Sequence, residues 1–408
     1  MVRLRDYWLP DHTTIPGGSV VERHTAVPFW RDVRVLTVVS QIVFVLLVAL
    51  VATFLYSNLS SAMRQRGLVA GLDFLNRESG FDIGEGLISY ASTDTYGRAL
   101  VVGLLNTLLV SVVGIFFATI LGVITGVARL SSNWLVNRIA AVYIEIIRNT
   151  PLLVQLVFIY FGIFVKLPPI RDTLEFAGAF YANQRGVFLP RPVPSPSFDG
   201  WAMFIAIGLV AAIVLWVGLS RHPKTRVTLY PLIAPIVAFI LIPAVGWFLI
   251  GPSPLGFEVP ERGKFNFTGG LALSPEFSAL LFGLVIYTAA FIAEVVRGGL
   301  QAVQRGQIEA ARAIGLNEIQ ILQLIVFPQA LRVIVPPLTS QYLNLAKNSS
   351  LAIAIGYPDL FNVGATTMNQ TGQPVPVIIL VMAIYLAISL FTSLLMNIYN
   401  SRIQILEK

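Results

Sequence analysis

"QRGQIEAARAIGLNEIQILQLIVFPQALRV", residues 304–333, sets Glu309, Arg312 and Glu318 in a chain that otherwise avoids charge. Glu309-Ala-Ala-Arg-Ala-Ile is strongly helix-forming sequence. Gly315 suits a left-handed position just past the end of that short helix. Asn317 then caps a second helix, with Gln320 three residues on in a capping-box arrangement. The pattern predicts a helix–turn–helix elbow between two apolar runs, with Pro328 early in the second. Small side chains at Ala310 and Ala311 let a partner approach closely, and Glu309 and Arg312 offer it polar anchors.

The apolar surroundings decide the class. The chain of 408 residues is 56% hydrophobic and 12% charged, with a mean hydropathy of +0.76. A soluble domain averages about 25% charged residues, so the composition is that of a polytopic membrane protein. Runs of 18 or more apolar residues read as bilayer spans, and eight candidates follow: 35–57, 100–128, 138–165, 202–220, 230–250, 277–297, 320–345 and 376–398. Each must be helical, because in lipid every backbone polar group is satisfied within its own segment. The expected class is therefore all-α, with about eight transmembrane helices. The first run follows 34 polar residues and is too long for a signal-peptide core, so it reads as an uncleaved span.

Lys and Arg set the orientation. Arg3, Arg5, Arg23, Arg31 and Arg34 precede the first span, and Arg129, Arg138, Arg221, Lys224 and Arg226 fill the two shortest inner links. Short links are where positive charge marks the cytoplasmic side, so both termini and the elbow are expected inside. The net charge of +7 is spread over such links, which favours a lipid-bounded protein over a nucleic-acid partner. There is no cysteine, which excludes disulfides and thiolate chemistry. His12, His24 and His222 fall in polar flanks, and no catalytic or metal-ligand cluster stands out.

The expected organisation is a cytoplasmic segment (1–34), an extra first span (35–57), a periplasmic loop (58–99) and a first core part (100–165). An inserted loop and helical hairpin (166–276) and a second core part (277–408) follow, the latter with a cytoplasmic coupling loop at 298–320. Within the insertion, "LPRPVPSPSFDG" reads as an extended loop, since repeated Pro blocks helix and central strand.

Glu309-Ala310-Ala311, Gly315, Ile325 and Pro328 match in spacing the EAA loop of ABC-importer permeases, and the chain resembles that family. "GLLNTLLVS" (103–111), "EIIRNTPLLVQLVFIYFG" (145–162), "YTAAFIAEVVRGGL" (287–300) and "LAKNSSLA" (345–352) look like its polar amino-acid branch. That likeness covers about 95–165 and 277–405. The first span, "GLDFLNRESGFDIGE" and the inserted hairpin are similar to a membrane subunit of the general L-amino-acid permeases. The resemblance implies a type I ABC-importer permease fold in the bacterial inner membrane, without catalysis in this chain. It also implies a second homologous permease, a dimer of ATP-binding subunits carrying ATP and magnesium, and a periplasmic amino-acid-binding protein. The elbow residues Glu309, Ala310, Ala311, Arg312, Gly315 and Pro328 would dock the ATPase.

The motif residues carry expectations of their own. Asn106 and Thr107 are placed to hydrogen-bond across helices, or else to line a pore. Glu145 and Arg148 are positioned to pair along one helix face. Thr150-Pro151 fits a helix start with Thr as cap, either of a new helix or of a kink in a continuous one. Glu294 pairs with Arg297 one turn on, or lines a substrate path with Tyr287, because ionisable groups within spans usually face a cavity. Lys347 is a gate or a packing residue, and Asn348 and Ser349 belong to the same motif. No Walker A loop is present: Glu258 stands where one ending at Gly263-Lys264 would need its first glycine. The alternatives are an ion-coupled secondary transporter, which would show inverted repeats, and a membrane scaffold that docks an ATPase without a pore.

Overall fold

The computed structural model describes residues 33–65, 71–222, 230–251, 253–263 and 266–404. The basic segment before Val33 and most of the basic turn after Arg221 lie outside them. Helix α1 (Val33–Gln65) is apolar over Val35–Leu55, long enough to cross a membrane. It is a unit by itself.

The second unit begins with a strap, residues 71–95, in place of a plain loop. A 3-10 turn (Asp73–Asn76) buries Phe74 completely, and Ser79 and Gly80 N–H donate to Asp94 and Ser92 O at 2.8 and 2.9 Å. The strap runs into α2 (Tyr96–Ala128), capped by Thr95. At 1.5 Å per residue this helix is about 50 Å long, well beyond the ~30 Å hydrocarbon core.

Gly114, Ala118, Gly122 and Gly126, four apart, are all buried along α2 and face α7 (Pro275–Gln301) and its neighbours. A Cβ on Gly122 would lie 2.6 Å from Ile292 Cβ, and one on Gly126 2.7 Å from Ala293 O. Small side chains let helix backbones meet where lipid supplies no hydrophobic drive between helices.

The third expected span, 138–165, is broken into α3 (Trp134–Asn149) and α4 (Leu152–Gly162), bent by 104° at Thr150-Pro151. A residue before proline is pushed out of the helical region, and Thr150 is extended (φ −105°, ψ 128°). The insertion holds strands β1 (Leu174–Phe176), β2 (Phe180–Asn183), β3 (Gly186–Leu189) and β4 (Arg191–Pro194). Helices α5 (Phe198–Arg221) and α6 (Tyr230–Leu249) follow, then β5 (Leu255–Glu258), β6 (Glu261–Arg262), β7 (Phe267–Thr268) and β8 (Leu271–Leu273). A four-stranded antiparallel sheet runs β1-β2-β3-β8, and Phe188 stacks on Phe267 against it.

Within the proline-rich stretch expected as a loop, Arg191–Pro194 is a strand, and Ser195–Ser197 turn into α5. The strand's partner is β5 in a two-stranded ribbon, where every strand is an edge and proline is tolerated. Helices α5 and α6 pack chiefly on each other, with Trp201 Nε1 donating to Pro243 O at 2.8 Å and apolar side chains exposed around them.

After α7 come α8 (Arg305–Ala313), α9 (Glu318–Ile321), a π turn (Leu322–Val326) and α10 (Phe327–Asn348), then a 3-10 segment (Ser349–Ile355), α11 (Leu360–Thr371) and α12 (Pro374–Gln404). The main core lies among α2, α4, α7 and α10, around Leu156, Leu284, Ile292 and Leu345. A smaller one joins the strap, α2, α11 and α12. The all-α, polytopic class stands, with short strands confined to the insertion. Six described helices are long and apolar enough to span, or seven if the bent pair is one crossing. The fifth expected span, α6, is a shorter apolar helix (Ile233–Leu249) and holds Pro235 and Pro243.

Candidate functional site: an exposed elbow and a polar cavity on one helix pair

The elbow forms as its turn chemistry requires. Gly315 has φ +85°; its N–H donates to Arg312 O at 3.0 Å and Leu316 N–H to Ala311 O at 3.2 Å, the paired bonds of a Schellman end. Asn317 Oδ1 accepts from Gln320 N–H, and Gln320 Oε1 from Asn317 N–H, both at 2.9 Å. Arg312 Nε donates to Glu318 Oε1 at 3.0 Å across the bend, and Gln329 Nε2 donates to Gln307 Oε1, tying α8 to α10. Arg312 is therefore engaged within the chain, a pairing that the expectation of an anchor for a partner did not include.

Ala311 is buried, at 3% exposure, so only Ala310 and Glu309 of the triplet face outward. Ile314 (77% exposed) and Ile319 (67%) add an apolar surface beside Glu309. Phe327 N–H reaches back five residues to Leu322 O. This wider turn is where Pro328, which has no N–H to give, enters the helix.

Both α7 and α10 run from the elbow to a second feature. Tyr287, Thr288 and Phe291 of α7, with Gln341, Asn344 and Asn348 of α10, line a cavity of about 240 Å³. The three amides stand at i, i+3 and i+7, one face of a helix. They carry donors and acceptors but no charge. The Arg148 guanidinium lies 5.3 Å from the centre of the Phe291 ring, the arrangement of a cation–π contact.

The structure separates the three expected path residues. Tyr287 lines this cavity. Glu294 is not among its lining residues and is ion-paired with Arg297, which also donates to Gln301 Oε1 at 2.7 Å. Lys347 lines a different, largely apolar groove with Phe361, Met382 and Tyr385.

The other motif residues hold elements together. Asn106 and Thr107 are buried: Asn106 Nδ2 donates to Glu85 O and Pro358 O, both at 2.9 Å, and Thr107 Oγ1 accepts from Leu360 N–H at 3.0 Å. Their cross-element hydrogen bonds are the structural alternative of the two expected. Among the described residues Glu145 and Arg148 form no ion pair, because Arg148 turns to Phe291. Thr150 does not cap α4; its hydroxyl donates back to Ile146 O at 2.8 Å and Pro151 takes the cap position. Gln155, which sequence reasoning passed over, closes the bend by donating to Ile147 O and Thr150 O, both at 2.9 Å. Ser349 is fully buried and donates to Ala346 O.

Residues 204–405 match the family model described as "Binding-protein-dependent transport system inner membrane component". The chain is 43% identical over 387 residues to the general L-amino acid transport system permease protein AapQ of Rhizobium johnstonii, covering 93% of this chain and 94% of that one. It is 47% identical to the putative amino-acid ABC transporter permease protein YhdX of Escherichia coli, with coverage of 90% and 94%. It is 40% identical to the glutamate/glutamine/aspartate/asparagine transport system permease protein BztB of Rhodobacter capsulatus, with coverage of 92% and 96%. With the EAA spacing built as an exposed elbow and the relatives matched over nearly its whole length, the chain belongs to the inner-membrane components of binding-protein-dependent transport, in the amino-acid branch of the ABC permeases.

Proposed function

We propose that this permease passes polar L-amino acids across the bacterial inner membrane within an ATP-driven importer. It acts beside a second homologous permease, two ATPase subunits that carry ATP and magnesium, and a periplasmic binding protein. Its own side chains perform no catalysis, and both termini face the cytoplasm. The observation that carries the reading is continuity: α7 and α10 each join the elbow to the uncharged, amide-lined cavity. A rotation of the elbow by an ATPase therefore reaches the cavity walls through two packed helices.

Energetically, ATP shifts a two-state membrane domain only as far as it favours one state over the other. The amides of Gln341, Asn344 and Asn348 suit the paired ammonium and carboxylate of an amino acid. The exposed surface of Glu309, Ile314 and Ile319 is the docking face. Glu309→Lys in the reconstituted complex should leave ATP hydrolysis running while uptake falls. Full uptake with the variant would defeat the assignment of the elbow, and uptake by this chain alone in ATP-free vesicles would favour the ion-coupled alternative.

A further inference from the structure

The strap of residues 71–95 crosses the end of the bundle where α7 begins, opposite the elbow, and it is fastened unevenly. Most of its attachments go to α2. Phe74 packs edge-on against Tyr96 (ring centres 6.3 Å apart), Arg98 donates to Ser89 O at 2.6 Å, and Gly86 lies against Val102. Asn106, also on α2, holds Glu85 O and Pro358 O with one amide. Toward α7, the hydrogen bonding among the described residues runs through a single strap residue. The Glu85 carboxylate accepts from the Ser274 hydroxyl, which itself caps α7 by accepting Phe277 N–H at 3.0 Å.

Beneath this fastening lies a cavity of about 370 Å³, whose walls include Asp82, Glu85, Ser274, Glu276, Pro358 and Asn362. At roughly 30 Å³ per water it has room for about twelve waters. Glu276 and Tyr287 are eleven residues apart on α7, about three turns and ~16 Å, and so share a face. The strap cavity and the amide cavity are stacked along the same side of one helix.

We propose that the strap is the outer lid of the translocation path, latched to α7 by Glu85 and Ser274, and that it rides on α2 and leaves α7 when solute passes. This deepens the transport reading and rests on it. The latch is Glu85 alone, held by the hydroxyl and backbone of one helix-cap residue, Ser274, while the hinge side has a buried aromatic, the Tyr96 N–H bond to Arg77 O and side-chain bonds from Arg98 and Asn106. Release at α7 thus breaks the least structure.

The chain has no cysteine, so introduced pairs are the only thiols in it. Glu85→Cys with Ser274→Cys, in the complete importer in proteoliposomes, is bridged with a short bis-methanethiosulfonate. Gly84→Cys with Glu276→Cys, both lining the same cavity, replaces that pair should loss of the Ser274 cap prevent folding. Gly86→Cys with Val102→Cys joins the strap to the helix it rides on. Either strap–α7 bridge should lower amino-acid uptake at least tenfold and release it on reduction, while the strap–α2 disulfide leaves uptake within twofold. Unchanged uptake in the bridged strap–α7 variants, or an equal loss in the strap–α2 variant, overturns the lid. Wild-type importer that takes up no amino acid defeats the transport reading instead, and is read before any bridge is made.

Discussion

Replacing Gly315 isolates the backbone of the elbow from its contacts. A Cβ built at Gly315 meets no heavy atom within 4 Å, so a side chain there clashes with nothing in this chain. What remains is φ +85°, a left-handed conformation that costs an ordinary L-residue about 1–2 kcal/mol and Asn less. Through the Boltzmann factor that is about a 5- to 30-fold loss of elbows in the required bend. Gly315→Asn should therefore behave nearly as wild type, Gly315→Ala should be impaired, and Gly315→Val, β-branched, should be worst. The assay is uptake per ATP hydrolysed in proteoliposomes holding both permeases and the ATPase pair. Asn317→Ala, which removes the cap on the other side of the bend at about 1 kcal/mol, should add to the Ala variant. Equal damage from Asn and Val would show that side-chain bulk against a partner governs the site. Wild-type coupling in the Val variant would refute the rigid bend altogether.

Other expectations test the packing, the cavity and the strap. Gly126→Val drives a Cβ to within 2.7 Å of Ala293 O and should cost about 1–3 kcal/mol as overpacking, read as a lowered Tm in detergent; an unchanged Tm would remove the tight α2–α7 crossing. Asn344→Ala should raise the KM for uptake several-fold while Glu294→Gln leaves KM unchanged, since only Asn344 lines the cavity; the reverse result would restore Glu294 to the path. Burial raises the Glu85 carboxyl above its ordinary range, against the lowering effect of the Ser274 hydrogen bond. Glu85 therefore holds a proton more tightly in the fastened strap than a free carboxyl does. Fastening is strongest below the usual Glu pKa and weakens as pH rises through the raised value. Hydrogen exchange of residues 78–92, corrected for intrinsic rate, should show protection falling over that window, and Glu85→Gln should abolish the trend; a pH-independent wild type would contradict it.

Much of the elbow was legible because its signals are local. A left-handed Gly and an Asn–Gln box three residues apart specify their conformation without distant partners. The ion pair of Arg312 with Glu318 and the burial of Ala311 were not, because they depend on how far the bend closes. The small residues at 114, 118, 122 and 126 were visible as a period of four, yet only the α7 backbone beside them gives that period meaning. Gln341, Asn344 and Asn348 likewise formed a readable polar stripe in an apolar helix, but the opposite wall is α7, some fifty residues earlier. Thr150-Pro151 marked the break correctly and its capping wrongly, since Pro151 itself occupies the cap.

The β3–β8 ladder pairs Val187 with Leu273, the first after β1 and β2 and the other two residues before α7 starts. The segment between them, the helical hairpin included, leaves and rejoins the molecule at that paired seam, with Arg262 donating to Arg171 O and Phe267 against Tyr181 beside it. A segment held in this way is separable. Its excision would bring two already adjacent strand ends together, and its replacement by an unrelated hairpin would ask nothing of the helices that carry solute. Such a seam gives the chain a grafting point, where length and cargo-handling surface can be gained or lost while the moving parts keep their spacing.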